Sequence, residues 1–237
     1  MDQHSGTGRG VDRRRFLQAG GALAAAGYLA PSVARAQVTP GLSPVGETPL
    51  GPKPAVDCID VLITGLAGIP TSLKNDLWAQ LGAAGIAISA EDGAGAIAAL
   101  QQFVEIVETD DNLDILNATQ GGFRDPAFPG AGGIGDGVLA AAEYLISLGP
   151  TGLLEREVVL TAGVRAAIDQ CDRDLATCLG RPFQARVLCY GLLLIPAPLG
   201  VGLFAASVQV LDGALGNPPC YTAFRGCVAS AASAGGL

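Results

Sequence analysis

Cys171-Asp172-Arg173-Asp174-Leu175-Ala176-Thr177-Cys178 and Cys220-Tyr221-Thr222-Ala223-Phe224-Arg225-Gly226-Cys227 share one spacing, with the second cysteine seven positions after the first in both stretches. Seven residues is close to two helical turns, so each pair falls on one helix face with its members about 10 Å apart along the axis. The first pair ends the clearest helical pattern in the chain, Thr151 to Leu179. There Leu154, Val158, Val164, Ile168, Cys171, Leu175 and Cys178 form an apolar stripe, and Arg165, Asp169, Asp172 and Arg173 are expected opposite it. The second pair follows Asn217 and Pro218, a cap residue and a first-turn proline, which predicts a helix of its own. Two such helices packed antiparallel would be stapled by Cys171 to Cys227 and Cys178 to Cys220. Parallel packing would give 171 to 220 and 178 to 227. The antiparallel form is preferred, because the segment between the pairs can run out and back. By parity Cys58 would then pair with Cys189, the alternative being two buried free thiols.

Working outward, the rest of the chain also predicts helices, and the fold class is all-α with a disulfide-stapled C-terminal helical hairpin. Asp57 to Leu66 is a first apolar segment. Pro70-Thr71-Ser72 offers a helix start, followed by Leu73, Leu77, Trp78 and Leu81 at helical spacing. Ser89-Ala90-Glu91-Asp92 opens another helix with Ile97, Leu100, Val104 and Val107 on one side, and Val138 to Leu148 makes a short Ala-rich one. No stretch alternates apolar and polar residues long enough to argue for a half-buried sheet. The domain reading is a signal segment over 1–36, a Pro-rich extended linker over 37–55, an N-terminal helical region over 56–150 with a Gly-rich loop at 121–137, and the Cys-rich helical hairpin region 151–237, the last two being separate regions or one domain.

The signal segment rests on Arg13-Arg14 followed by Phe16-Leu17, a weakly hydrophobic Ala/Gly run from Ala19 to Ala30, and Ala34-Arg35-Ala36. This pattern resembles the twin-arginine (Tat) signal peptide of bacteria, with cleavage after Ala36 and a mature chain starting at Gln37. Asp12 and Gln18 depart from the commonest residues at their positions. The resemblance implies export in a folded state to the periplasm or outside the cell, in some cases alongside a partner that has no signal of its own.

Removal of the segment takes Arg9, Arg13, Arg14, Arg15 and Arg35 with Asp2 and Asp12, and so leaves 9 basic and 20 acidic residues, a net charge of −11. An acidic surface of that size disfavours nucleic acid as a partner. The only His (His4) and the only Met also leave. A chain without His has no Ser-His-Asp or Cys-His site and no His-ligated zinc or haem. No cofactor is expected, and no catalytic or metal-ligating residue is assigned. Cysteines in an exported chain form disulfides more often than they act as ligands.

Three weaker patterns read as structure. Gly130-Ala131-Gly132-Gly133-Ile134-Gly135 matches G-x-G-x-x-G but follows Phe128-Pro129 rather than a strand. Asp110-x-Asn112-x-Asp114 starts like a calcium loop, yet Ile115 stands where the sharp turn needs Gly. Glu155 and Glu157, two apart on the predicted helix, point away from each other.

Between Arg186 and Asp212 no residue is charged, so segment 187–211 is expected to be a buried hairpin turning at Pro196-Ala197-Pro198, or else a membrane-contacting segment. The span Cys171 to Leu237 resembles secreted bacteriocin precursors of the halocin kind, with fewer cysteines; their activity is not carried over, and the resemblance keeps membrane activity open as the alternative. Asp60-Val61-Leu62-Ile63-Thr64-Gly65-Leu66 and the Leu77 helix after it resemble the start of small Tat-borne subunits of membrane sugar dehydrogenases over about 20 residues, and the Cys-rich C-terminal half has no counterpart there. That second resemblance implies an escort subunit. The expected function is therefore a non-enzymatic structural, interaction or escort protein of the cell envelope, with a bacteriocin-like factor as the alternative.

Overall fold

The computed structural model describes residues 48–237 except 110, 119–124, 126, 129–131, 185, 187 and 214–217. The signal segment, and with it Arg13, Arg14, Phe16, Leu17, Ala34, Ala36 and Gln37, lies outside the described residues, as does the cap residue Asn217.

The chain runs β1 (Thr48–Leu50), α1 (Pro52–Gly65), α2 (Thr71–Ser89), α3 (Gly93–Glu108), α4 (Asn112–Ala118), α5 (Ile134–Ser147), α6 (Gly149–Glu155), β2 (Val158–Leu160), α7 (Ala162–Cys178), a 3-10 turn at Tyr190–Leu194, α8 (Leu199–Leu211) and α9 (Pro219–Ala234). The all-α reading holds apart from one short ribbon: β1 pairs antiparallel with β2, Thr48 opposite Leu160 and Leu50 opposite Val158.

That ribbon corrects two expectations. The predicted single helix Thr151–Leu179 is broken in the middle, because Val158-Val159-Leu160 takes up the strand pairing that β-branched residues favour. Thr161 then restarts the helix as N-cap, its hydroxyl accepting from the Val164 N–H at 3.2 Å. The end of the predicted linker 37–55 is likewise ordered. Leu50 is buried, and Pro52 and Pro54 occupy the first turn of α1, where a proline lacks nothing the helix needs.

Elsewhere the boundaries follow local chemistry. Asp92 caps α3 by accepting from the Gly95 N–H at 2.8 Å. The buried face of α3 centres on Ala96, Leu100, Phe103 and Val107. α5 begins one turn before the expected Val138, since the Asp136 carboxylate accepts from the Gly133 N–H at 3.2 Å and from Asn117 Nδ2 at 3.2 Å.

One apolar core runs from Leu50 to Ala232 and includes residues from α1 to α9. At its centre lies α8, buried from Gly200 to Val210 and packed on α1, α5, α9 and the 3-10 turn. Within 187–211 the two arms 191–195 and 200–210 are buried and the turn at Pro196-Ala197-Pro198 is exposed, although the first arm is a 3-10 turn rather than a helix. Among the described residues no single helix is long and apolar enough to cross a membrane, and α5 with α6 would do so only across a 104° bend.

Candidate functional site

The two seven-residue cysteine pairs bring α7 and α9 together. Cys171 bonds Cys227, Cys178 bonds Cys220, and Cys58 bonds Cys189, so none of the six is free. The pairing is the antiparallel one, with Cα atoms of the two helix staples 5.8 and 5.7 Å apart. The third bridge ties α1 to the residue before the 3-10 turn. Beside it a Cβ on Gly191 would stand 2.2 Å from the Pro54 carbonyl oxygen, so only glycine permits that approach.

The charged side of α7 is where the structure departs most from expectation. Asp172 is only 2% exposed. Its carboxylate receives Arg186 Nη1, while Arg186 Nε donates to Asp212 Oδ1 at 3.1 Å and the Tyr221 hydroxyl donates to Asp212 Oδ2 at 2.7 Å. One turn earlier on α7, Asp169 accepts from the Tyr190 hydroxyl at 2.7 Å, and the Arg165 guanidinium lies 5.2 Å from the centroid of the Tyr190 ring. Tyr190 continues into Phe204 (5.8 Å between centroids) and Phe204 into Phe224 (6.3 Å). Asp172 is thus covered by the returning segment, Arg165 and Asp169 are half-buried under Tyr190, and Arg173 alone of the four stays exposed as the periodicity predicts.

The electrostatics match that role. Burial pushes the Asp172 carboxyl up, against the opposing pull of the Arg186 hydrogen bond and charge, and Arg186 is held protonated by its two carboxylates despite its own desolvation. Burial, then the bonded carboxylates, raise the phenols of Tyr190 and Tyr221 well above their ordinary value. Neither phenol is poised as a base or nucleophile near neutral pH.

A cleft of about 290 Å³ lies beside this cluster, lined by Arg181, Pro182, Gln184, Arg186 and Asp212. Another, of about 300 Å³, is lined by Glu91, Gly93, Pro150, Thr151, Leu154 and Glu155. Among the described residues no three of His, Cys, Asp and Glu are grouped to hold a metal ion.

The weaker motifs resolve into packing. Gly130 and Ala131 lie outside the described residues, and a Cβ on Gly133 or Gly135 would run into Asn117 of α4, so these glycines admit α4 against α5. Asp110 is outside the described residues, while Asn112 Nδ2 donates to the Ile106 carbonyl at 2.8 Å and closes the end of α3. Glu155 and Glu157 are both exposed, one ending α6 and the other just ahead of β2.

Sequence reasoning overlooked the Asp172, Arg186, Asp212 and Tyr221 group. A signal existed, because Arg186 and Asp212 are the charges that bracket the uncharged run and Asp172 adjoins a stapling cysteine. Comparison with protein-family models, curated proteins and solved structures gives no significant match to this chain.

Proposed function

We propose that the chain is an exported, non-enzymatic interaction protein of the bacterial envelope, acting as a structural or escort subunit for another protein. The observation that carries this is the use of all six cysteines in three bridges across 42, 56 and 131 residues, an arrangement suited to an oxidising compartment. It agrees with the Arg13-Arg14 and Ala34-Arg35-Ala36 export pattern. The ion pairs and phenol hydrogen bond that join Asp172, Arg186, Asp212 and Tyr221 support a scaffold rather than a reaction centre.

The test is cell fractionation of the wild type beside an Arg13→Lys/Arg14→Lys variant. The wild type is expected outside the cytoplasm, cleaved before Gln37 and resistant to thiol alkylation, and the variant inside and uncleaved. Wild-type protein retained in the cytoplasm with reactive thiols would overturn the reading. The bacteriocin-like alternative requires 187–211 to reach lipid, and the burial of α8 favours the first reading. Leakage of anionic liposomes caused by the oxidised protein and abolished by reduction would reverse that preference.

A further inference from the structure

From Leu77 to Ala90 and again from Gly93 to Val104 no residue is charged, yet α2 lies at the surface. Leu73, Leu77, Leu81, Ala84 and Gly85 are buried against the core, and Ala79, Gly82, Ala83, Ile86 and Ala90 are exposed on the other side. From Leu77 to Ile88, Gln80 apart, α2 is apolar on both sides, and such a stretch is ordinarily covered on both. Ile86, at 61% exposed, is the barest of the large apolar side chains among the described residues.

Gly82 lies in the middle of this face. Glycine in an exposed helix interior weakens the helix relative to alanine, and here a Cβ would meet nothing within 4 Å. Among the described residues nothing packs at that position, and a helix docked there could approach the α2 backbone closely. Trp78, one turn before Gly82, is half-buried, and its buried indole N–H has no acceptor.

Charge identifies the occupant. The neutral face is bounded by Asp76 at one end and by Glu91 and Asp92 at the other, and α3 adds Glu105 and Glu108. The lone basic residue of α2 and α3, Lys74, donates to the Thr64 carbonyl at 3.0 Å. A second copy would set carboxylates against carboxylates, and an anionic bilayer would meet the same repulsion. We infer that the outer face of α2, centred on Gly82, Ala83 and Ile86, docks an amphipathic helix of a partner protein whose apolar face is flanked by Lys or Arg. This rests on the interaction-protein reading and names the surface it uses.

Trp78 is the only tryptophan in the 237 residues and therefore reports on this face. The probe is a tryptophan-free peptide of about five helical turns, Leu and Ala on one face and Lys on both flanks, titrated into the oxidised full chain. The expected result is a saturable shift of Trp78 emission to shorter wavelength, with affinity at least about tenfold lower in Ile86→Glu. Gly82→Leu is expected to abolish binding while leaving helix content and all three disulfides intact, since its side chain points into open space.

The same shift from a charge-matched peptide without an apolar face, or no change in either variant, would overturn the inference. So would a dimer that Ile86→Glu dissociates in sedimentation, or binding to phosphatidylglycerol vesicles that responds to the same substitutions. A natural partner cross-linked only to elements other than α2 would overturn this surface and leave the interaction-protein reading standing.

Discussion

Arg186 Nε donates to Asp212 Oδ1 at 3.1 Å, so the two charges at the ends of the uncharged run meet in space. The contact closes the out-and-back path of the segment that carries α8, and Arg186 simultaneously reaches the buried Asp172. A pair of this kind contributes less than its Coulomb energy, because both ions have been taken out of water, but removing one partner strands the other.

Arg186→Met keeps much of the aliphatic stem and deletes the charge. The expected outcome is a loss of about 3–5 kcal/mol of stability, read as a lower urea midpoint of the oxidised protein. Adding Asp172→Leu should restore part of that loss, since the stranded carboxylate is gone. A midpoint unchanged in Arg186→Met would show that the clasp contributes nothing.

Asp60 on α1 sets a pH dependence. Burial, and secondarily the neighbouring Asp57 carboxylate, raise its pKa from 3.8 to about 6. For an acid raised in the folded state, the folded form holds the proton more tightly, so this group favours folding below the unfolded value and costs stability as pH rises from about 4 through 6. Asp60→Asn is expected to gain about 2 kcal/mol near pH 7 and nothing at pH 3.5, measured by thermal unfolding across that range. An equal gain at both pH values would mean that the carboxyl is not shifted.

Helix positions were legible wherever cap and stripe agreed, as at Asp92 with Leu100 and Val107, and so was the bridge between Cys171 and Cys227. The break at Val158-Val159-Leu160 was not, because a three-residue strand gains its stability from β1, more than 100 positions earlier, and no local window contains both. Asp172 was placed in solvent by helical periodicity alone. Its true surroundings depend on Arg186 crossing over α7, a long-range contact that periodicity does not encode. The outer face of α2 was visible only after folding, since its exposed alanines and its buried leucines look alike in a string of apolar letters.

The bridges should differ in worth according to the loops they close. In the chain-entropy view, removing Cys171–Cys227 by Ala substitution at both positions costs about 3 kcal/mol, because the Cys178–Cys220 bridge already closes 42 of its 56 residues, and removing Cys58–Cys189, which closes the longest loop, costs about 5 kcal/mol. Non-reducing peptide mapping checks the pairing first. A peptide linking Cys171 to Cys178, or Cys171 to Cys220, would contradict the antiparallel packing of α7 and α9.

Two glycines separate close packing from mere helix loss. Gly191 has the Pro54 carbonyl oxygen where its Cβ would be, 2.2 Å away, and that contact sits beside the Cys58–Cys189 bridge at the edge of the core. Gly191→Ala must push the 3-10 turn off α1, and neither backbone atom can move far while the bridge holds. A loss of about 1–3 kcal/mol is expected, the scale of an overpacked core. Gly226 of α9 has nothing within 4 Å of its own Cβ position, so Gly226→Ala should gain about 0.5–1 kcal/mol from helix propensity alone. Urea titration of both variants beside the wild type decides the matter: opposite signs place Gly191 at a true backbone contact, whereas a gain at both would mean that α1 and the turn stand further apart.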